Sequence, residues 1–386
     1  MLKLRARAQF IGRAPDLKSG SRVVRVVADP EFPRALRSSS ALVWPGQIPP
    51  PPGFFALLLG PGSTDPVATE EAIIQLPADM GYLRPGDLIR IFSDGWINAV
   101  YRQNASINAL LVTEQCNSFC VMCSQPPKVV DDSHLVDQWL ETIPLIPETC
   151  RELVITGGEP TLLGERLIGL VRSIRSYLPN TALHILTNGR NLKDPALAQR
   201  LAEVRHPDLM LGIPLYSDVG SIHDFVVQAD GAYDETILGI CNAKRYKLRV
   251  EIRVVIHRET YARLPKLAEF IVRNLQFVDQ VSLMGLELMG FARANLDPLW
   301  IDPLDYQEEL AAAVNTLMTG KVKVMIFNHQ LCVLRPALRA FAVKSISDWK
   351  NDYMPECASC LERGHGCGGF FTSARIRHSR GIVPIL

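Results

Sequence analysis

Residues 113–128 read TEQCNSFCVMCSQPPK, and within them Cys116, Cys120 and Cys123 lie on eight consecutive residues. A cluster of four irons and four sulfides is a cube with four iron corners, and three thiolates at this spacing can hold three of those corners. The fourth iron then has no protein ligand and is open to a small molecule. A zinc site is the alternative, but zinc usually takes paired ligands and a fourth residue, and the nearest histidine, His134, lies in a helical stretch. Three cysteines therefore indicate an open, catalytic site, whereas four would close it.

The composition is that of a globular protein. Of its 386 residues 47% are hydrophobic and 21% charged, and the net charge of +1 gives no indication of nucleic-acid or membrane binding. The start, MLKLRARAQF, has no apolar core of a signal peptide, and the apolar run Phe54–Leu59 is too short to span a membrane. The nine cysteines are clustered and odd in number, which favours metal chemistry in a reducing compartment, so we expect a cytoplasmic protein.

The hydrophobic pattern divides the chain into three regions. Residues 1–105 read as a strand-rich region, with a hairpin predicted around Asp94-Gly95. Residues 106–319 alternate six apolar strands with amphipathic helices, which predicts a parallel sheet of right-handed βα units with ligands at the carboxyl ends of its strands. The three-cysteine loop follows the first of these strands. Residues 320–386 form a loop-rich, cysteine-rich extension.

The loop CNSFCVMC resembles the signature of the radical S-adenosylmethionine (SAM) enzymes, C-x3-C-x-φ-C, with Met122 at the φ position that is often aromatic. The resemblance implies a partial (βα)6 barrel. It also implies one-electron chemistry: SAM chelates the open iron, the reduced cluster cleaves it to methionine and a 5′-deoxyadenosyl radical, and the radical removes a hydrogen atom from the substrate.

The resemblance also implies a set of SAM contacts. The turn Gly157-Gly158-Glu159-Pro160 follows the second strand and matches the family motif that contacts the SAM amino group. Softer matches are Asn188 of the Thr-Asn-Gly that ends the third strand, Ser217 after the fourth strand and Arg253 on the fifth. For Arg253 an ion pair at the surface is the alternative interpretation.

The extension carries a second cysteine group, which consists of Cys332, Cys357, Cys360 and Cys367. The residues alone fit an iron–sulfur cluster and a structural zinc equally. The resemblance favours a second, auxiliary four-iron cluster, because radical SAM enzymes that act on peptides commonly carry one in a C-terminal SPASM or twitch extension. His365 is the substitute ligand if Cys332 lies too far away. Cys150 and Cys241 are predicted to be core residues, and His223-Asp224 to make loop hydrogen bonds.

The stretches CNSFCVMCSQPPK, GIPLYSDVGSIHD and PECASC resemble one branch, the His-Xaa-Ser system radical SAM maturases of HxsC type. The resemblance implies modification of a ribosomally made precursor peptide, together with a second radical SAM maturase and an electron donor such as flavodoxin or ferredoxin. Two alternatives stay open: a radical SAM enzyme acting on a small molecule or cofactor precursor, as in molybdenum-cofactor biosynthesis, and a non-catalytic iron–sulfur or zinc scaffold.

Overall fold

The computed structural model describes residues 2–17, 20–63 and 68–386, which form two compact units. The first unit extends to Asn108 and also includes Leu140–Cys150. The second unit consists of Ala109–Trp139 and Arg151–Leu386. The finer division of the chain at residues 105 and 319 stays a prediction.

The first unit is built on a mixed sheet whose strands are short and mostly buried. In chain order they are β1 Arg5–Arg7, β2 Gln9–Ile11, β3 Ser21–Val27, β4 Ser40–Trp44, β5 Ala56–Leu59, β6 Ile73–Gln75, β7 Leu88–Phe92 and β8 Trp96–Tyr101. Strands β7 and β8 are antiparallel neighbours across Asp94-Gly95, so the predicted hairpin is confirmed.

The N-terminal segment closes this sheet on itself. The strand order is β1-β8-β7-β3-β4-β5-β6-β2, which puts β1 and β2 at opposite ends. Only Ala8 separates these two strands in the chain, so one segment pairs with both ends of the sheet. Such closure removes the free edges at which strands aggregate. The enclosed core is aliphatic and includes Val24, Leu58, Ile74 and Ile89.

The second unit holds a curled sheet whose strands follow one another in chain order. They are β9 Asn108–Leu111, β10 Glu152–Thr156, β11 Ala182–Leu186, β12 Leu209–Pro214, β13 Arg249–Ile256, β14 Gln280–Gly285, β15 Val324–Phe327 and β16 Ala342–Val343. From β10 to β16 all neighbours are parallel. The first six strands are the predicted ones, and the partial barrel is confirmed. The last two come from the cysteine-rich extension, which thus begins within the sheet.

Helices follow most strands of this sheet. Over the described residues the helices of the chain are α1 Arg34–Arg37, which belongs to the first unit, α2 His134–Thr142, which the division between the units crosses, and α3 Glu165–Tyr177, α4 Pro195–Glu203, α5 Gly220–Val227, α6 Ala232–Arg245, α7 Leu264–Asn274, α8 Gly290–Ala294, α9 Leu296–Leu299 and α10 Gln307–Thr319 of the second unit. Helix α7 illustrates the pattern, since Leu264, Leu267, Ala268 and Ile271 are buried at helical spacing. In the described parts of the chain, no helix combines the length and apolar character that crossing a membrane requires.

The two isolated cysteines differ in their surroundings. Cys150 is buried, as predicted. The prediction is wrong for Cys241, which is exposed. Its neighbour Ile240 is fully buried on the inner side of α6, and a helix turns by about 100° per residue, so Cys241 is carried to the outer side.

Candidate active site

The loops that follow β9, β10 and β11 meet at the carboxyl edge of the barrel sheet. The backbone N–H of Gly158 donates to the carbonyl of Thr113 at 2.8 Å, and that of Glu159 donates to the carbonyl of Gln115 at 2.8 Å. The turn after β10 is therefore bonded to the segment that leads directly into Cys116.

The two glycines of this turn are required because there is no room for a side chain. A Cβ on Gly157 would lie 2.4 Å from the carbonyl oxygen of Thr113. A Cβ on Gly158 would lie 2.1 Å from the carbonyl oxygen of Gln115 and 3.0 Å from the Cβ of Cys116. Side-chain atoms do not approach backbone so closely. The glycines therefore bring the turn into contact with the cysteine loop.

The opposite side of the cysteine loop is held by helices α5 and α8. The N–H groups of Phe119 and Val121 donate to carbonyls of Val227 and Val226 at the end of α5, at 3.0 and 2.9 Å. The carbonyl of Cys123 accepts from an N–H at the start of α8 at 2.8 Å. These contacts fix the path of the cysteine loop on the side opposite the glycine turn.

Two side chains after β11 hold the middle of the loop. The Asn188 amide donates to Asn117 Oδ1 at 2.6 Å and to Ser118 Oγ at 3.4 Å, and its Nδ2 lies 3.9 Å from the Cys116 sulfur. Arg190 donates to the carbonyl of Asn117 and to Ser118 Oγ, while its Nε donates to Glu235 at 2.7 Å. Sequence reasoning included Asn188 but missed Arg190. The available indication of a role for Arg190 was its position two residues after Asn188, in the turn that follows a strand of the sheet.

All three loop cysteines are partly exposed. Burial raises the pKa of Cys116 to about 11 and that of Cys120 to about 12, and it also raises the pKa of Cys123. Metal ligation requires the thiolate, so binding must release these protons. Three thiols on one accessible loop are a donor set that fits an iron–sulfur cluster with one open corner.

Glu159 faces the protein interior. Its carboxylate is fully buried and accepts hydrogen bonds from Thr161, from the Thr187 hydroxyl at 2.6 Å and from the Asn188 N–H at 2.6 Å. Burial raises its pKa, and these hydrogen bonds oppose that shift. The side chain ties the turn after β10 to the end of β11, so the atoms of this turn that remain for a ligand are backbone atoms.

The other predicted contacts differ in how accessible they are. Met122 is buried in an apolar cluster with Tyr216 and the end of α5. Pro160 and Ser217 are buried too, and the Ser217 hydroxyl accepts from the N–H of Val219 at 3.1 Å. The structure therefore places Gly157, Gly158, Asn188 and Arg253 at partly exposed positions, and Met122, Glu159, Pro160 and Ser217 at buried ones.

Arg253 belongs to an ionic group on β13. Its guanidinium donates to Glu251 at 2.8 Å, and Glu251 is fully buried and also accepts from Ser282 and from Gln280. Burial would raise the pKa of Glu251, but the Arg253 charge and these hydrogen bonds hold it below its usual range. Arg253 is also across the parallel ladder from Pro214, the last residue of β12. Arg253 therefore makes an ion pair, as the alternative interpretation expected, but with a buried carboxylate in place of a surface one; its contact with SAM stays a prediction.

His223 and Asp224 make the hydrogen bonds predicted for them. The buried His223 accepts from the N–H of Tyr216 through Nδ1 at 3.3 Å, and burial lowers its pKa to about 4. Asp224 accepts from the N–H groups of Gly231 and Tyr233, both at 2.7 Å, at the start of α6. Both residues therefore organise the connection from β12 to the helices.

The cysteines of the extension line one apolar cavity. It is bordered by Cys332, Cys357, Cys360 and Cys367, together with Tyr353, Phe370, Val383 and Ile385. His365 is exposed and does not border it. The N–H groups of Gly369 and Ile385 approach the sulfurs of Cys367 and Cys360 at 3.5 and 3.4 Å. Four thiols around one cavity, two of them with N–H donors at their sulfurs, are a donor set that fits a fully ligated metal site.

A site for one metal ion and a site for an iron–sulfur cluster need different arrangements of ligands. Within residues 2–17, 20–63 and 68–386, no group of three or more histidine, cysteine or acidic side chains converges to hold one metal ion. In a four-iron cluster each thiolate binds its own iron, so the ligands surround a volume rather than a point.

Comparison with known proteins identifies the barrel. Residues 110–271 match the family model of the radical SAM superfamily and form a radical SAM domain, which implies a four-iron cluster and SAM. The pre-heme d1 synthase of Dinoroseobacter shibae is 28% identical over 187 residues, which cover 48% of this chain and 44% of the relative.

Two solved structures have lower similarity. Streptococcus suis SuiB bound to S-adenosylmethionine gives a TM-score of 0.47 at 14% identity over 58% of this chain and 50% of SuiB. Native anSMEcpe with bound AdoMet gives 0.44 at 19% identity over 57% of this chain and 63% of anSMEcpe. This chain thus spans about half the length of the proteins it matches.

Proposed function

We propose that this chain is a radical SAM enzyme whose cluster is held by Cys116, Cys120 and Cys123. The observation that carries the proposal is the three-cysteine loop, held by the Gly157-Gly158 turn on one side, by helices α5 and α8 on the other and by Asn188 at its middle. When bound, the cluster and SAM supply an electron and a 5′-deoxyadenosyl radical able to remove hydrogen from unactivated carbon. The match of residues 110–271 to the superfamily supports an enzyme of this kind.

The chain's own residues position these groups. The Gly157-Gly158 turn brings backbone polar groups to the edge of the cysteine loop, where they suit the amino group of SAM. Arg253 offers a cation for the SAM carboxylate, and the buried Glu251 limits the side-chain conformations of Arg253. The apolar cluster around Met122 borders the same loop and suits the adenine. Met122, Glu159, Pro160 and Ser217 then act mainly by fixing the surroundings.

We infer that the substrate is a ribosomally made precursor peptide, with His-Xaa-Ser repeats as the expected sequence. The resemblance of CNSFCVMCSQPPK, GIPLYSDVGSIHD and PECASC to one maturase branch supports this choice. A second radical SAM maturase and a flavodoxin or ferredoxin are the expected partners, in the cytoplasm. Removal of one hydrogen atom to the radical and loss of a second on oxidation would lower the peptide mass by about 2 units per modification.

We further propose that Cys332, Cys357, Cys360 and Cys367 hold an auxiliary four-iron cluster. Their common cavity and the N–H donors at the sulfurs of Cys360 and Cys367 support it. Four protein thiolates leave no open iron, so this cluster would accept an electron from the product radical rather than ligate the peptide.

A cofactor precursor is the second candidate substrate. The match to a pre-heme d1 synthase favours it, since that name denotes formation of a tetrapyrrole precursor. It requires the same cluster chemistry, so only the substrate distinguishes the two proposals.

The first experiment tests the chemistry. Anaerobically reduced chain with SAM is expected to yield 5′-deoxyadenosine, and each single change Cys116→Ala, Cys120→Ala or Cys123→Ala is expected to abolish that yield. Cys241→Ala is the matched control, because Cys241 is an exposed cysteine outside both groups. Undiminished cleavage by the variant that lacks all three loop cysteines would overturn the proposal.

The second experiment tests the substrate. The chain and the expected second radical SAM maturase are co-expressed with a precursor peptide that carries His-Xaa-Ser repeats. The intact mass of that peptide is then measured. A decrease of about 2 units, absent with the Cys120→Ala variant, is expected. An unchanged peptide mass, with 5′-deoxyadenosine formation stimulated by a tetrapyrrole instead, would transfer the assignment to the cofactor precursor.

A further inference from the structure

The cavity of the four extension cysteines has a cover made by residues 383–385, which read Val-Pro-Ile. Val383 and Ile385 both border the cavity, far in sequence from the first cysteine of the set. The carbonyl of Ile385 accepts from the N–H of Leu361, the residue after Cys360, at 2.9 Å. The segment is therefore bonded to the cysteine-bearing loop itself.

One backbone N–H group of this cover is directed at sulfur. Ile385 donates to the Cys360 sulfur at 3.4 Å. Val383 borders the same cavity through its apolar side chain. One of the four thiols thus has a donor on this three-residue segment.

Pro384 lies between the two residues that border the cavity. The residue before a proline is disfavoured in helical geometry, which favours an extended path for the cover. Proline has no N–H, so it adds no donor that would need a partner.

We propose that Val383–Ile385 is part of the metal site of the extension, where it excludes water from the cavity and donates one N–H···S hydrogen bond, from Ile385 to Cys360, that stabilises the metal-bound thiolate. This proposal rests on the proposed metal binding by Cys332, Cys357, Cys360 and Cys367. Hydrogen bonds to ligand sulfur disperse its negative charge, and they therefore raise the reduction potential of a cluster and slow metal loss.

The test compares two changes at one residue. Ile385→Pro removes the N–H donor to Cys360, whereas Ile385→Ala keeps the N–H and removes only apolar side-chain atoms. Both are made in a chain whose three loop cysteines are alanine, so that all bound metal belongs to the extension. Iron and zinc contents are measured first, followed by the rate of metal loss to a chelator.

We expect Ile385→Pro to lose its metal roughly twofold to tenfold faster than the parent chain, the factor expected for one hydrogen bond. With iron bound, its midpoint potential in a redox titration followed by electron paramagnetic resonance should also shift to more negative values. Ile385→Ala should keep the parent's potential. Equal rates and potentials for Ile385→Pro and the parent chain would overturn the proposal, and so would equal damage by both variants.

Failure of the metal proposal would be visible separately. A parent chain that binds neither iron nor zinc after reconstitution refutes metal binding by the extension. The cover is then tested in the metal-free chain by the rate of Cys360 alkylation, measured by peptide mass spectrometry. Faster alkylation in Ile385→Pro than in the parent and Ile385→Ala supports the N–H contact, and equal rates in all three refute it.

Discussion

The change Gly158→Ala is expected to displace the cysteine loop. The added Cβ would lie 2.1 Å from the Gln115 carbonyl oxygen, whereas ordinary van der Waals contact begins at 3.4 Å, so one segment must move by more than about 1 Å. The Cβ of Cys116 lies 3.0 Å from the same point, so the first ligand moves as well. Overpacking of this kind costs about 1–3 kcal/mol. A misplacement of about 1 Å at a reacting centre lowers activity by roughly 100-fold.

The assay measures iron and sulfide after anaerobic reconstitution, and then the rate of 5′-deoxyadenosine formation. Gly158→Ala is expected to retain less iron at the loop and to cleave SAM at least roughly 100-fold more slowly. Gly169→Ala is the matched control, because a Cβ at this position on α3 meets no atom within 4 Å. That change should keep full iron and stabilise the chain by about 1 kcal/mol. Parent-like iron content and cleavage in Gly158→Ala would refute the steric argument.

Two further predictions concern side chains that the motif did not include. Arg190→Gln removes the donors to the Asn117 carbonyl, so the iron content of this variant after reconstitution should fall. Arg200→Gln breaks only an exposed ion pair and should keep the parent's iron content. Equal iron in both variants would contradict a role of Arg190 in positioning the cysteine loop. His257 is fully buried, both its ring nitrogens are unpartnered among the described residues, and burial lowers its pKa from 6.5 to about 4. The unfolded chain therefore binds an extra proton below pH 6.5, which the folded chain does not bind until the pH approaches 4. The free energy of unfolding of the parent, relative to that of His257→Phe, should fall by about 2 kcal/mol between pH 7 and pH 5 when it is measured by urea unfolding. A difference between the two chains that does not depend on pH would contradict the assigned burial effect.

The sequence alone predicted the chemistry proposed for the barrel. Cys116, Cys120 and Cys123 are separated by few residues, so their short spacing places the three thiols on one loop whatever the rest of the chain does. The alternation of apolar strands and amphipathic helices likewise predicted the parallel sheet, because strand and helix periods differ and each is a local property. The Asp94-Gly95 hairpin depends only on neighbouring residues and was predicted for the same reason.

Tertiary structure decided which side chains share a site. Arg190 contacts the cysteine loop although more than seventy residues separate the two in the sequence. A separation in sequence gives no measure of the distance between two residues in the folded chain. The carboxylate of Glu159 is turned inward by Thr187 and Asn188, which only the adjacency of β10 and β11 brings within reach. The path of the extension decided that Cys332, and not His365, borders the cavity. The Ile385 donor could not be predicted from the sequence either, since a backbone N–H carries no side-chain signature and its direction exists only once the chain is folded.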